Sequence, residues 1–152
     1  RVEPAASRVE LSTDHDPIAR TREAIAGARA SVDAVVYKFD EPSLRPALEA
    51  ALARGVAVRL LVDAKEADDS DSQVDAVRHA GAVVRRWSRE RGKLHAKFTT
   101  IDGALVLTGS FNWTRSAGGK NVEVLLELSE PELVDRFSAL FDRLWREAAA
   151  GD

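Results

Sequence analysis

A histidine and a lysine stand two residues apart at His95 and Lys97. Within the next 15 residues the chain places Asp102, Ser110 and Asn112 (HAKFTTIDGALVLTGSFN, residues 95–112). An imidazole can attack phosphorus or shuttle a proton near neutral pH. A lysine ammonium and an amide can stabilise charge that develops on oxygen. Together with a hydroxyl, these groups suit an anionic centre with several oxygens, such as a phosphodiester.

The stretch must fold so that those groups converge. Residues 95–101 are mostly apolar, aromatic or β-branched and read as a strand. On a strand, side chains two apart share a face, so His95 and Lys97 point the same way, about 6–7 Å apart along the chain. Asp102-Gly103 is a hairpin turn signal. Ala104 to Thr108 then returns as the partner strand. At Gly109-Ser110 backbone N–H groups are free to turn toward a ligand, and the hairpin brings Ser110 and Asn112 back to the His95 end.

The pattern H-x-K, four residues, D, six residues, G-S-x-N resembles the HKD signature of the phospholipase D superfamily. His95, Lys97, Asp102, Gly109, Ser110 and Asn112 match it without gap or substitution. Asn121 and Glu123 match the Asn-x-Glu that often follows on the next strand. The segment Ser31 to Asp63 resembles the family's N-terminal strand-helix-strand unit. The resemblance extends over about residues 15–148. It is nearest to the short, single-motif branch of bacterial endonucleases and mitochondrial relatives that act as homodimers.

Bulk properties are compatible with this. A chain of 152 residues with 45% hydrophobic and 31% charged residues reads as one globular domain over 1–152, with 1–8 a loose tail. It is long enough to bury roughly 70% of its unfolded surface. No apolar run approaches the length of a spanning helix. Cysteine is absent, which removes disulfides, cysteine nucleophiles and thiolate metal sites. The three histidines, His15, His79 and His95, form no metal-ligand spacing, so neither metal nor cofactor is expected. The chain starts at Arg1 and lacks methionine, which reads as either a processed mature form or a piece cut from a longer chain, with a periplasmic or secreted location expected ahead of a cytoplasmic one.

Net charge is −3. Nucleic-acid binders usually lean basic, so the distribution carries more information than the sum. Arg85, Arg86, Arg89, Arg91, Lys93 and Lys97 form a basic run into the motif, read as a polyanion-binding flank. The acidic stretch from Asp63 to Asp75 reads as solvated surface.

In chain order, Val9–Ser12 reads as a strand. A helix follows, capped by Asp14 or Asp16 with Pro17 at its first position and running to about Arg29. Ser31–Phe39 is a buried strand whose end, Tyr37-Lys38-Phe39, approaches the site. A helix starting at Asp40 or Ser43 ends at Gly55, and Val56–Val62 is the next strand. These two strands form a βαβ unit, hence a parallel pair. A short helix over 72–80, a strand over 82–87, the motif hairpin and a strand over 122–128 follow. Ser129-x-x-Glu132 reads as a capping box. Leu133, Phe137, Leu140, Phe141, Leu144 and Trp145 form the apolar stripe of a last helix. The order predicts an α/β fold, a mixed β-sheet sandwiched between helices, as in the phospholipase D/nuclease-like fold. Trp113 reads either as a base- or lipid-stacking residue or as packing.

Only one H-x-K occurs. Cleavage through a covalent histidine needs a nucleophile and a separate acid on opposite sides of phosphorus. The resemblance supplies the second histidine from a symmetric homodimer with one joint active site. His95 of one protomer would attack phosphorus and His95 of the other would protonate the leaving oxygen. Lys97, Asn112 and Ser110 would hold the non-bridging oxygens, and Glu123 would fix the tautomer of His95. Asp102 would support the hairpin. The expected function is a metal-independent phosphodiesterase with a phosphohistidine intermediate, an endonuclease of little sequence preference on DNA or RNA. Two other readings are a phospholipase D acting on phosphatidylcholine-type membrane lipid and a non-catalytic nucleic-acid-binding domain.

Overall fold

The computed structural model describes residues 6–150. Among the described residues there are eight strands and five α-helices. The strands are β1 (Arg8–Leu11), β2 (Ser31–Val36), β3 (Ala57–Asp63), β4 (Val83–Trp87), β5 (Phe98–Ile101), β6 (Leu105–Gly109), β7 (Val124–Leu128) and β8 (Ala149–Ala150). The helices are α1 (Pro17–Gly27), α2 (Leu44–Ala53), α3 (Ala64–Ala67), α4 (Val74–His79) and α5 (Pro131–Glu147).

All eight strands join one sheet in the order β1-β7-β6-β5-β2-β3-β4-β8. β2, β3 and β4 run parallel, as expected of strands joined through helices. The other pairings are antiparallel, so the sheet is mixed as predicted. The short pairing of β8 with β4 is not legible in the sequence.

Two apolar layers cover the sheet. Ile25, Leu44, Leu48 and Val77 bring α1, α2 and α4 onto one face, against Val32, Leu60 and Leu125. Phe141 and Trp145 of α5 cover the other face, against Val35, Leu61 and Val106. Each such fully buried large side chain contributes roughly 1.5–3 kcal/mol. Among the described residues no helix is long and apolar enough to cross a membrane.

Local signals set most boundaries. Asp16 caps α1, its Oδ1 accepting from Ile18 N at 2.8 Å, with Pro17 behind it. Gly55 ends α2 at φ 85°, a conformation that costs glycine little. α5 differs from expectation. It begins at Pro131 with Glu130 as its cap and no side-chain capping bond, so the Ser129 box does not form. Its buried face consequently includes Val134 and leaves Leu133 39% exposed. The tail expectation for 1–8 also needs correction. Residues 1–5 lie outside the described residues, but Ser7 accepts from Ser129 N at 3.3 Å and Arg8 opens β1.

Candidate active site

The strand directions bring the motif together at one end of the sheet. β2 and β3 end there, at Val36 and Asp63. β5 begins there, with Phe98 opposite Val35. β6 ends there at Gly109, which faces Leu125 near the start of β7. His95 and Lys97 lie just before β5 in extended chain, rather than on a strand over 95–101. The predicted shared face survives, because extended chain keeps the same alternation. Lys97 Nζ donates to His95 Nδ1 at 3.2 Å and to the His95 carbonyl at 2.7 Å. The Thr108 hydroxyl donates to the Lys97 carbonyl at 2.7 Å and ties this segment to β6.

The turn forms as the Asp-Gly signal predicts. Asp102 and Gly103 sit at φ 53° and 60°, and Ala104 N–H donates to Ile101 O at 2.9 Å. Asp102 also does something the spacing does not announce. Its carboxylate accepts from the backbone N–H of Arg29, Ala30 and Ser31, at 2.7–3.1 Å. Burial pushes this carboxyl up, but the three N–H donors outweigh it and hold it below the ordinary aspartate value.

At the far end of the hairpin, a Cβ on Gly109 would lie 1.9 Å from Val124 O, so only glycine fits. Ser110 is committed to β7. Its N–H donates to Val124 O at 3.1 Å, its hydroxyl accepts from Val124 N at 3.0 Å and donates to Glu123. The expectation of a free N–H and hydroxyl for ligand at Ser110 is therefore not met in this structure. Asn121 Nδ2 also donates to Glu123, at 3.0 Å, and Ser12 Oγ accepts the Glu123 N–H at 2.8 Å. The Glu123 carboxylate is thus held by Ser110 and Asn121, and the predicted bond from His95 is not made here. Asn112 presents the opposite case: its Oδ1 is buried with no donor. Such an unmade bond costs about 1–3 kcal/mol.

Burial lowers the Lys97 ammonium from its ordinary value, against the opposing pull of the Glu123 charge. An ammonium has only hydrogens to give. With Lys97 charged, His95 Nδ1 is the acceptor, and the neutral ring carries its proton on Nε2.

The arginines of the basic run are engaged within the chain. Arg85 lies over Trp145, 4.7 Å from its centroid, and donates to its carbonyl. Arg86 pairs with Asp68, Arg89 with Asp63 and Glu66, and Arg91 with Glu147. Lys93 makes no ion pair among the described residues. The acidic stretch is likewise not all solvated: Asp63 is 0% exposed. One signal could have found it, since Asp63 ends an apolar strand and precedes a helix, where a carboxylate caps. Trp113 is 2% exposed and packs edge-on against Phe39 at 5.0 Å, so it is core. Among the described residues no group of three or more His, Asp or Glu is placed to hold a metal ion.

Fold and site together define a one-ended mixed sheet presenting a single imidazole–ammonium pair beside a carboxylate held by a glycine-serine turn. Comparison with known proteins gives the class. The family model described as "Cardiolipin synthase, PLD-like domain" matches residues 21–145. The mitochondrial cardiolipin hydrolase of Canis lupus familiaris is 34% identical over 144 residues, 95% of this chain and 56% of that protein. That of Chlamydomonas reinhardtii is 35% identical over 140 residues, 91% of this chain and 62% of the relative. This chain therefore spans somewhat over half the length of these curated relatives. The crystal structure of Nuc, a phospholipase D family member from Salmonella typhimurium, superposes with a TM-score of 0.85 at 27% identity. The match covers 96% of this chain and 97% of Nuc. NucT from Helicobacter pylori shares the fold, with a TM-score of 0.85 at 20% identity, over 96% of this chain and 100% of that one. The chain belongs to the phospholipase D superfamily, within its PLD-like domain family.

Proposed function

We propose that this chain is a phosphodiesterase that works through a covalent histidine, without a metal, on nucleic acid, as an endonuclease of little sequence preference. The observation that carries this reading is the pairing of Lys97 with His95 at 3.2 Å, at the sheet end that also holds Asn112 and Glu123. In the proposed reaction Nε2 of one His95 attacks phosphorus and the bond to the leaving oxygen breaks. The His95 of a second copy gives that oxygen its proton. Water then attacks the phosphohistidine, losing its proton to the same second imidazole, and the nitrogen–phosphorus bond breaks.

Attack requires a lone pair on Nε2, hence a proton on Nδ1. The tautomer favoured by the Lys97 contact is the reverse; the acid is the imidazolium of the second His95, which becomes a neutral imidazole on giving up its proton and can then take the proton of water. A phosphate oxygen that draws Lys97 away from Nδ1 would release the nucleophilic form. The need for a second imidazole supports a homodimer. So do the exposed apolar side chains of Val9 and Leu11 on β1 and of Val122 in the segment just before β7.

Hydrolysis of a phosphodiester lipid is the second reading. The curated relatives favour it, since each is described as a cardiolipin hydrolase. The test offers single- and double-stranded DNA, and vesicles containing cardiolipin or phosphatidylcholine, to wild type and His95→Ala in excess EDTA. DNA cleavage that survives EDTA and disappears in the variant is the expected result. Lipid turnover with the same behaviour would transfer the mechanism to lipid. Activity abolished by EDTA would overturn the mechanism, and DNA binding without any turnover would leave a non-catalytic binding domain.

A further inference from the structure

Asp63 lies at the end of β3 with no solvent exposure, beneath the segment that enters the site. A buried carboxylate is tolerated only when its oxygens are satisfied. Here they accept from four donors. Oδ1 takes Lys65 N at 3.1 Å, Glu66 N at 3.3 Å and Arg89 Nε at 2.7 Å. Oδ2 takes Leu94 N at 3.1 Å. Leu94 is buried and immediately precedes His95. The carboxylate therefore clamps the backbone one residue before the imidazole.

A second arm leaves the same cluster. Arg89 Nη2 donates to Glu66 Oε1 at 3.1 Å, and the Tyr37 hydroxyl donates to the same oxygen at 2.9 Å. Burial raises the Tyr37 hydroxyl above its ordinary value, and the Glu66 bond raises it further, so it remains a donor. The Tyr37 ring then lies 4.7 Å from the His95 ring, centroid to centroid, tilted by 53°. Lys97 Nζ stands 5.6 Å from the same Tyr37 ring. One buried charge is thus linked to His95 through its backbone and through its ring face.

We infer that Asp63, Arg89, Glu66 and Tyr37 form a brace of positioning residues that sets the orientation of the His95 imidazole. The inference rests on the reading that His95 does the chemistry. An imidazole free to rotate still meets substrate but spends less time aligned for attack. Loss of the brace therefore lowers kcat more than it alters KM.

The test uses bis(p-nitrophenyl) phosphate, a phosphodiester independent of the nucleic-acid or lipid question, in excess EDTA. Tyr37→Ala should lower kcat at least about tenfold with KM within about twofold, because misplacement of a reacting group costs that much or more. Tyr37→Phe keeps the ring and loses only its tether, so its kcat should fall between the two. Glu66→Ala should behave like Tyr37→Phe, and Glu66→Gln, which retains an acceptor, should recover most of the rate. Thermal unfolding of each variant identifies any loss caused by misfolding.

A second readout needs no turnover. The chain has three histidines, so the ring Hε1 protons give a simple NMR spectrum. His95→Ala identifies the His95 signal. That signal should move in Tyr37→Ala, through loss of the ring current, and stay nearly unmoved in Tyr37→Phe. A folded Tyr37→Ala with wild-type kcat and an unmoved His95 signal would overturn the brace. If His95→Ala leaves turnover intact, the functional reading fails, while the NMR signal still decides whether the brace orients the ring.

Discussion

Lys97 is useful to an anionic substrate only while it carries charge. Its ammonium is lowered by burial, with the Glu123 carboxylate pulling the other way. The charged form is therefore lost at a lower pH than in a free lysine side chain. A profile of kcat/KM between about pH 7 and 11 should show this limb below the ordinary lysine value of about 10.4. In Lys97→Arg, whose guanidinium stays charged, the limb should vanish even if the rate falls. An identical limb in both proteins would assign it to another group. Gly109 offers a stability prediction at the same scale. Its φ of 150° and the 1.9 Å approach of Val124 O leave no room for a methyl group. Gly109→Ala should cost on the order of 3 kcal/mol, combining backbone strain and overpacking, read as a lower midpoint in denaturant.

The β5–β6 hairpin shows how one motif residue serves two elements. Asp102 makes the turn and caps the N–H groups that enter β2, 71–73 residues earlier in the chain. Its carboxyl value is lowered in the fold, so its stabilisation is fully present above the unfolded aspartate value of about 3.9 and lost as pH falls through the lower folded value. Asp102→Asn keeps the left-handed turn conformation and one acceptor oxygen but removes the charge. It should lower stability at pH 7 by roughly 1–2 kcal/mol and have little effect once the pH lies below the lowered folded value, where Asp102 is itself neutral. Denaturant titrations at both pH values measure the difference, and an equal loss at both would assign the effect to geometry. The hairpin also marks what could be read in advance. Its residues lie within 18 positions, so turn chemistry and alternation suffice to place them. The contacts of Asp63 with Arg89 and Leu94 span 26 and 31 residues, and no local pattern announces them. The same holds for Arg85, which reads as a free cation until α5 brings Trp145 against it. On α5 the pattern identified the right helix but the wrong edge. Glu130 rather than Ser129 caps it, and Val134 replaces Leu133 on the buried side.

At the scale of the whole molecule, the difficulty is a single imidazole for a proposed reaction that uses two. Neither other histidine can supply it. His79 Nδ1 contacts the Asp75 carbonyl on α4, and His15 pairs with Glu10 beside β1. The charge pattern adds to the case for a second copy. With Arg86, Arg89 and Arg91 paired internally, one protomer offers few unspent cations near His95. Two copies facing each other would double Lys93 and Lys97 around one substrate. In such a joint site the two His95 residues act on the same phosphorus, so a dimer holding one His95 and one alanine is inactive. If wild type and His95→Ala are mixed in equal amounts and allowed to exchange subunits, random pairing leaves roughly one quarter of the dimers with both histidines. Activity per total protein should then fall to about a quarter of that of wild type alone, because mixed dimers contribute nothing. Independent sites, one per protomer, would retain about half. Light scattering establishes that the mixture is dimeric, and capture through an affinity tag on one of the two proteins establishes whether subunits exchange. A retained half would return both chemical roles to a single His95, and with them the question of how one ring serves both sides of phosphorus.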